Sequence, residues 1–350
     1  MESVDLPVQP PIEPMLAKAT AKVPDDPGVW SYEPKWDGFR ALVFRNGDDV
    51  MLQSRSGKDL GRYFPELLDS LRDELVARCV LDGEVVVPRE IEGRTRLDWE
   101  SLSQRIHPAE SRITMLSEQT PAHFIGFDAL ATGDRSLLKE SFRVRRQALL
   151  DAIDEKAWCH TTRTTEDPEL GAQWLDTFEG AGLDGVIAKR LDGHYLPGKR
   201  EMVKVKHARD ADCVAIGYRI HKSGEGVGSI LLGLYRDDGE LQMIGGAASF
   251  SVKDRIKLLA DLEPLREGDQ VNDGEPSRWN SAADKRWIPV RPERVAEVAY
   301  DQMEGNTAHG QRFRHAVKFV RWRPDRDPSS CTFAQLDVPL NYDLFDVLES

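Results

Sequence analysis

The sequence predicts a two-domain α+β protein, in which antiparallel sheets flanked by helices are followed by a small β-barrel. Three observations carry that expectation. A chain of 350 residues fits two medium domains better than one core. Residues 1–208 alternate short apolar runs of strand character with segments of helical period. After that the pattern becomes short strands separated by turn signals, with one amphipathic helix among them. The boundary falls in the polar stretch HARDA (207–211), so the expected domains are 1–208 and 209–350.

The elements follow in order. The lead MESVDLPVQPPIEP has no apolar core and does not read as a secretory signal. WSYEPKWDGFRALVFRNGDDVMLQSR (30–55) holds extended runs about Asn46-Gly47, a dipeptide that accepts positive φ and so suits a hairpin turn. Over 61–78, Phe64, Leu67, Leu68, Leu71, Leu75 and Val76 fall near helical spacing, and Pro65 sits in the first turn, where its missing N–H is tolerated. VLDGEVVV (80–87) and HFIGFDALA (123–131) read as buried strands. Helices are expected over 141–154 and 167–181, and strands over 182–190 and 201–207. In the second domain DCVAIGYRI, GSILLGLYRDDGELQMIGGAA and RVAEVAYDQM supply strands, interrupted by a helix at 251–263. The tail, 328–350, has apolar residues (Phe333, Leu336, Phe345, Leu348) that can dock.

Composition narrows the class. No run of 18 apolar residues exists, so no membrane-spanning helix is expected, and a cytoplasmic location is. Cys79, Cys159, Cys213 and Cys331 form no CxxC and have no zinc spacing; they read as buried thiols in a reducing compartment. A net charge of −13 argues against a polyanionic partner for the chain as an average. RFRHAVKFVRWRPDR (312–326), however, carries six Lys/Arg against one acid, enough for a local basic surface.

The chemistry concentrates around Lys35 in SYEPKWDGFR (31–40). Lysine is a poor nucleophile until burial or neighbouring cations lower its pKa. Alone, this lysine reads as a solvated strand residue in a salt bridge with Asp37. Five further stretches place charged residues on strands: SRSGK (54–58), LDGE (81–84), FIGFD (124–128), DGVIAK (184–189) and VKVKH (203–207). Glu84 and Asp184 lie in apolar surroundings, where a carboxylate needs a partner or a metal. Two such carboxylates on adjacent strands suit Mg²⁺, which takes oxygen ligands and substrate phosphates. Lys204 and Lys206 alternate with valines, which puts both amines on one strand face, suited to phosphate. Each stretch also has a structural reading. Glu84 can be half of a buried salt bridge, Lys204 and Lys206 a solvated face, Phe127 plain core, and Arg55 a turn residue.

The ordered set resembles the motifs of the covalent nucleotidyltransferases, and among them the ATP-dependent DNA ligases. KWDGFR is similar to motif I, SRSGK to Ia, LDGE to III, FIGFD to IIIa, DGVIAK to IV, VKVKH to V, and FVRWRPDR (319–326) to motif VI. PMLA (14–17) resembles the entry to bacterial ligase domains, and the likeness spans roughly 14–327. It points to small stand-alone bacterial enzymes and the ligase module of bacterial end-joining proteins. The resemblance implies an adenylation domain followed by an oligonucleotide-binding (OB) barrel. It implies ATP as cofactor, with AMP carried on Lys35, and Mg²⁺ or Mn²⁺. Glu33 would accept from the adenine amino group, and Phe127 and Ile187 would sandwich the ring. Arg40 and Arg55 would contact phosphate or ribose, Glu84 the ribose or a metal, and Asp184 the metal. Lys204 and Lys206 would grip the α-phosphate, while Arg323 and Arg326 would orient the leaving pyrophosphate.

Two positions depart from the family pattern: Asp184 stands where motif IV usually has Glu, and Arg326 where motif VI usually ends in Lys. The first predicts an altered Mg²⁺/Mn²⁺ preference. The expected partner is nicked duplex DNA, with a repair polymerase or end-binding proteins as candidate companions, no membrane, and a monomeric enzyme at the nucleoid during repair. An RNA ligase or mRNA-capping-type enzyme shares the lysine and most motifs. A non-catalytic DNA-binding OB protein is disfavoured by intact Lys35, Glu84, Lys204 and Lys206. An NAD-dependent ligase is disfavoured because its four-cysteine zinc site has no counterpart.

Overall fold

Two sheets that face each other across a layer of apolar and charged side chains organise the first two-thirds of the chain. The computed structural model describes residues 5–91, 93–206, 209–268, 271–273, 286–304, 310–336 and 342–348. Contacts divide the chain into two compact units: Met1–Lys206 with Pro339–Ser350, and His207–Val338. Residues 207 and 208 of the expected boundary lie outside the described residues; Arg209 already begins a strand.

In chain order, the first unit has strands β1 (Leu16–Ala19), β2 (Trp30–Pro34), β3 (Phe39–Asn46), β4 (Asp49–Ser54), β5 (Arg78–Val86), β6 (Pro88–Ile91), β7 (Arg94–Leu97), β8 (His123–Thr132), β9 (Arg135–Ser136), β10 (Cys159–Thr161), β11 (Val186–Arg190) and β12 (Arg200–Val205). Its helices are α1 (Pro65–Glu74), α2 (Trp99–Gln104), α3 (Glu110–Gln119), α4 (Phe142–Ala152) and α5 (Pro168–Thr177). One sheet runs β1-β12-β11-β2; the other runs β10-β8-β5-β3-β4, with β9 beside β8. Both are antiparallel except at an edge, where β1 joins β12 and β10 joins β8 in parallel.

Asn46-Gly47 does close the β3–β4 hairpin, with Gly47 at φ +64°. The run before it does not continue that hairpin: Trp30–Pro34 pairs with β11 in the other sheet. The chain switches sheets between Lys35 and Gly38. Gly38 makes this possible, because a Cβ there would stand 2.1 Å from the Val85 carbonyl oxygen. The expected helix at 61–78 is a 3₁₀ turn at Gly61–Tyr63 followed by α1, and Pro65 does open α1. α2, α3 and the β6–β7 hairpin lack a strong periodic signal and were not expected.

Helix α1 buries Leu67 and Leu71, and α4 buries Leu149 and Ala152, in one core against the larger sheet. Tyr32, Val186, Ala188, Val203 and Val205 line the other face of the smaller sheet and pack with Trp174 and Phe178. The tail joins this second core. Helix α7 (Leu344–Leu348) inserts Leu344 and Val347, and Asp343 Oδ2 accepts from Thr95 N at 2.8 Å. The whole tail was expected with the second domain; Phe333 and Leu336 do pack into that unit's core, while the end of the chain from Pro339 groups with the first unit.

The second unit is a barrel. β13 (Arg209–Ile220), β14 (Val227–Tyr235) and β15 (Leu241–Ala248) form a meander, followed by α6 (Val252–Leu262). Short β16 (Ile288–Pro289) then joins β13, as does β17 (Val295–Tyr300), and β20 (Lys318–Trp322) pairs with β17. A side hairpin, β18 (Met303–Glu304) with β19 (Arg312–Phe313), lies between those last two strands. Bridging of Ala247 to Val317, just ahead of β20, closes the barrel. Ser251 caps α6, accepting from Asp254 N. This is the OB-type barrel the resemblance implies.

Candidate active site

Strand alternation sets the site. Glu33 pairs with Ile187, and Ile187 with Lys204, so one row crosses β2, β11 and β12. Residues two apart share a face. Glu33 and Lys35, Ile187 and Lys189, and Lys204 and Lys206 therefore present six side chains on one side of the smaller sheet. The valines and alanines between them are buried on the other.

Lys35 Nζ donates to Asp184 Oδ1 at 2.6 Å, and Lys206 Nζ lies 2.6 Å from Asp184 Oδ2. The carboxylate, 7% exposed, is thus shared between two ammonium groups. Backbone bonds fix this geometry: Lys35 N donates to Gly185 O at 2.8 Å, and Asp184 N to Lys35 O at 3.3 Å. Gly185 has φ +149°, and a Cβ there would lie 2.2 Å from Val205 O. The Lys204 side chain makes no hydrogen bond or ion pair with another described residue. Its pKa is lowered by burial and by the charges of Lys35 and Lys206.

The facing sheet contributes Arg40 and Glu84, which are direct cross-strand partners. Arg40 grips Asp82 with two bonds, Nε to Oδ1 at 2.8 Å and Nη2 to Oδ2 at 2.6 Å, and also reaches Met15 O. Glu84 Oε1 accepts from Gly38 N at 3.1 Å. Burial lifts the Glu84 carboxyl to about 7, against the pull of Arg40 and Lys35. Glu84 and Asp184 are not on adjacent strands as expected: Glu84 is in β5, and Asp184 precedes β11 in the other sheet.

Glu33 forms the inner wall. Its Oε1 holds Lys189 Nζ at 2.9 Å, while Oε2 is buried with no hydrogen-bond partner. Burial raises its pKa in spite of Lys189. Lys189 also donates to Phe127 O at 2.7 Å. The Phe127 ring is 7% exposed, with Arg40 and Lys189 each 4.8 Å from its centre. Ile187 is half-buried and is the more open of the two apolar residues expected at the base. Arg55 stands exposed in the turn after β4 and makes no side-chain hydrogen bond or ion pair with another described residue.

Arg323 and Arg326 belong to the second unit. Arg323 Nη1 meets Asp212 at 3.1 Å and Glu297 at 3.4 Å, and its Nη2 meets Asp325. Arg326 Nε is 3.5 Å from the same Asp212.

Motif reading overlooked the layer behind these groups. Asp82 takes Arg40 and the Tyr195 hydroxyl, the latter at 2.6 Å. Asp128 pairs with Arg145 at 2.7 Å, both 1% exposed. Asp82, Asp128 and Lys189 each sit inside a stretch singled out for its neighbours, so their letters were in view. Arg145 and Tyr195 had no local signal.

An amine beside a buried acid, cations ready for a phosphate, and a buried unsatisfied acceptor beside an apolar wall define a covalent nucleotidyltransferase. Residues 14–206 match the family model described as ATP dependent DNA ligase domain, and 223–326 that of the ATP dependent DNA ligase C terminal region. The chain is 83% identical over 346 residues to DNA ligase C1 of Mycolicibacterium smegmatis, covering 99% of each. It is 48% identical over 366 residues to DNA ligase C of Mycobacterium tuberculosis, again covering 99% of each. It is 33% identical over 329 residues to the multifunctional non-homologous end joining DNA repair protein LigD of that organism, covering 91% of this chain and 39% of LigD. The chain belongs to the ATP-dependent DNA ligases: it is an enzyme that joins DNA, with ATP and a divalent metal as the family's cofactors.

Proposed function

We propose that Lys35 is the residue that carries AMP, and that the side chains around it divide the work of sealing a 3′-hydroxyl/5′-phosphate nick. The observation that carries this reading is the single sheet face holding Glu33, Lys35, Lys204 and Lys206, with Lys35 and Lys206 both closed on Asp184. Lys35 Nζ attacks the α-phosphate of ATP, a P–N bond forms, and pyrophosphate leaves. The nick's 5′-phosphate then takes AMP from Lys35, and the 3′-hydroxyl displaces AMP to close the strand. Phosphoryl transfer of this kind rests on positioning and charge neutralisation.

Lys204 and Lys206 neutralise the α-phosphate. Glu33 Oε2 accepts from the exocyclic amine of adenine; guanine would set a carbonyl oxygen against the same carboxylate. Ile187 covers one face of the base and Phe127 the other. Arg40 and Arg55 contact ribose or phosphate, with exposed Arg55 the better placed for the DNA end. Arg323 and Arg326 orient pyrophosphate, for which they must exchange Asp212 for the leaving group.

Among the described residues no cluster of three or more His, Cys, Asp or Glu is placed to hold a metal. Two carboxylates, Asp184 and Glu84, suit a hard divalent cation whose shell substrate phosphates complete. Such an ion supplies charge neutralisation at the phosphates. The choice between Mg²⁺ and Mn²⁺ follows from Asp184, a carboxylate one methylene shorter than Glu. Asp184→Glu should change the ratio of activities in the two metals, and equal ratios across a titration would overturn that.

No helix among the described residues is long and apolar enough to cross a membrane. The enzyme acts as a monomer in the cytoplasm, at the nucleoid during repair and recombination, alongside a polymerase or end-binding proteins. The likeness to LigD, a protein named for end joining, supports the repair assignment. The test is labelling with α-³²P ATP or GTP. An acid-labile, base-stable adduct from ATP that is absent in Lys35→Ala is expected. Label from GTP alone would overturn the reading, and nick sealing on RNA strands only would redirect it.

A further inference from the structure

Beyond the catalytic face, the first unit carries an arginine-lined hairpin that no step of nucleotide transfer uses. β6 and β7 pair Pro88 with Leu97, Arg89 with Arg96, Glu90 with Thr95, and Ile91 with Arg94. Strand alternation sorts these residues into two faces. One holds Thr95 and Leu97. Leu97 packs into the core beneath the smaller sheet, and Thr95 N is tied to Asp343 of the tail. The other face holds Arg89, Arg94, Arg96 and Ile91.

Arg89 and Arg96 stand directly opposite each other, a like-charge placement that costs stability unless an anion offsets it. Arg89 is partly offset: its Nη1 meets Asp98 Oδ2 at 3.1 Å and Ser101 Oγ at 3.4 Å, yet its side chain remains 60% exposed. The side chains of Arg94 and Arg96 make no hydrogen bond or ion pair with another described residue. The chain reaches this hairpin straight from Glu84. Arg89 follows it by five residues, roughly 17 Å of extended strand at most. The hairpin is fastened at its back, so the arginines are presented on a fixed support.

We propose that the β6–β7 hairpin, through Arg89, Arg94 and Arg96, holds the phosphate backbone of the duplex beside the nick. Charge decides the occupant. Arginine forks match phosphate oxygens, and a polyanion relieves three clustered cations at once. A two-stranded ribbon is also narrow enough to enter a major groove. In a chain of net charge −13, such a patch concentrates favourable contact where the reacting end must lie. The proposal rests on nicked DNA as substrate, and wild-type binding to the nick tests that separately.

The experiment uses the full chain, with fluorescence anisotropy on a nicked duplex across a salt series. Self-adenylation by ATP without DNA is measured alongside. Arg94→Ala/Arg96→Ala should flatten the slope of log K against log salt by about 1.8, the expectation for two lost phosphate contacts. Self-adenylation should be unchanged, and Arg94→Lys/Arg96→Lys should recover most of the slope. Three results would overturn the proposal. An unchanged slope would mean that the face serves another partner, such as a protein. A lysine variant as weak as alanine would mean that charge is not the cause. An equal loss of self-adenylation would place the arginines in support of the nucleotide site.

Discussion

Replacing Glu84 by glutamine should make the resting protein more stable above neutral pH while weakening nucleotide transfer. Burial lifts the Glu84 carboxyl from its ordinary 4.5 to about 7, with Arg40 and Lys35 offsetting only part of the desolvation. The folded value lies above the unfolded one. Between those limits the folded chain holds a proton that the unfolded chain has released. Glu84 therefore contributes most below pH 4.5, and wild-type stability falls as pH rises through the window to about 7. A lift of that size corresponds to about 3 kcal/mol. The side chain keeps some contact with solvent, and screening trims the expected effect to about 2 kcal/mol. Glutamine keeps a carbonyl for Gly38 N–H, so no donor is left stranded.

Urea unfolding of wild type and Glu84→Gln across the pH range checks this. The two should coincide near pH 4.5, with the variant about 2 kcal/mol more stable at about pH 8. A difference that does not vary with pH, or a less stable variant at high pH, would refute the reasoning. The same variant should form lysyl-AMP more slowly, because a carboxylate kept at a cost in stability has a use in the reaction.

Gly38→Ala should cost at least about 2 kcal/mol by thermal denaturation, since its Cβ would meet the Val85 carbonyl at 2.1 Å and neither backbone can yield freely. Arg145→Met should cost about 3 kcal/mol by leaving the buried Asp128 carboxylate with only the more distant Lys189, 3.8 Å away, to offset it, and adding Asp128→Asn should recover part of that in a double-mutant cycle. Leu344→Ala should loosen the tail, read as faster amide hydrogen exchange across 342–348 with exchange in α4 unchanged.

What the sequence made legible follows from how each feature is encoded. Strong periodicity placed α1, α4, α5 and α6 to within a few residues, and period-two alternation put Lys204 and Lys206 on one face. Sheet membership was not legible. WSYEP and FRALVF look like one extended run, and only the close approach at Gly38 sends them to different sheets. The tail's docking was equally hidden, because Leu344 and Val347 find their core some two hundred residues earlier in the chain. The pairing of Lys35 with Asp184, 149 positions away, could be inferred only through the family resemblance, never from local spacing.

The residues that motif reading passed over change the view of how the base pocket is built. Lys189 ties Glu33 to the Phe127 carbonyl and lies 3.8 Å from Asp128. Asp128 is held by Arg145, which also donates to Glu140 O and Gly193 O. The acceptor proposed for adenine is thus anchored through three buried charges to helix α4 and to the loop after β11. Buried ion pairs add little net stability compared with apolar packing. Their effect here is positional: Lys189 occupies one oxygen of Glu33 and leaves the other unpartnered. An unsatisfied buried acceptor costs about 1–3 kcal/mol in the resting protein. A nucleobase amine that satisfies it relieves that cost, whereas a base presenting a carbonyl there adds to it. On the role proposed for Glu33, selectivity for adenine would be built into the free protein as a cost awaiting the right partner, with Lys189 determining which Glu33 oxygen carries it.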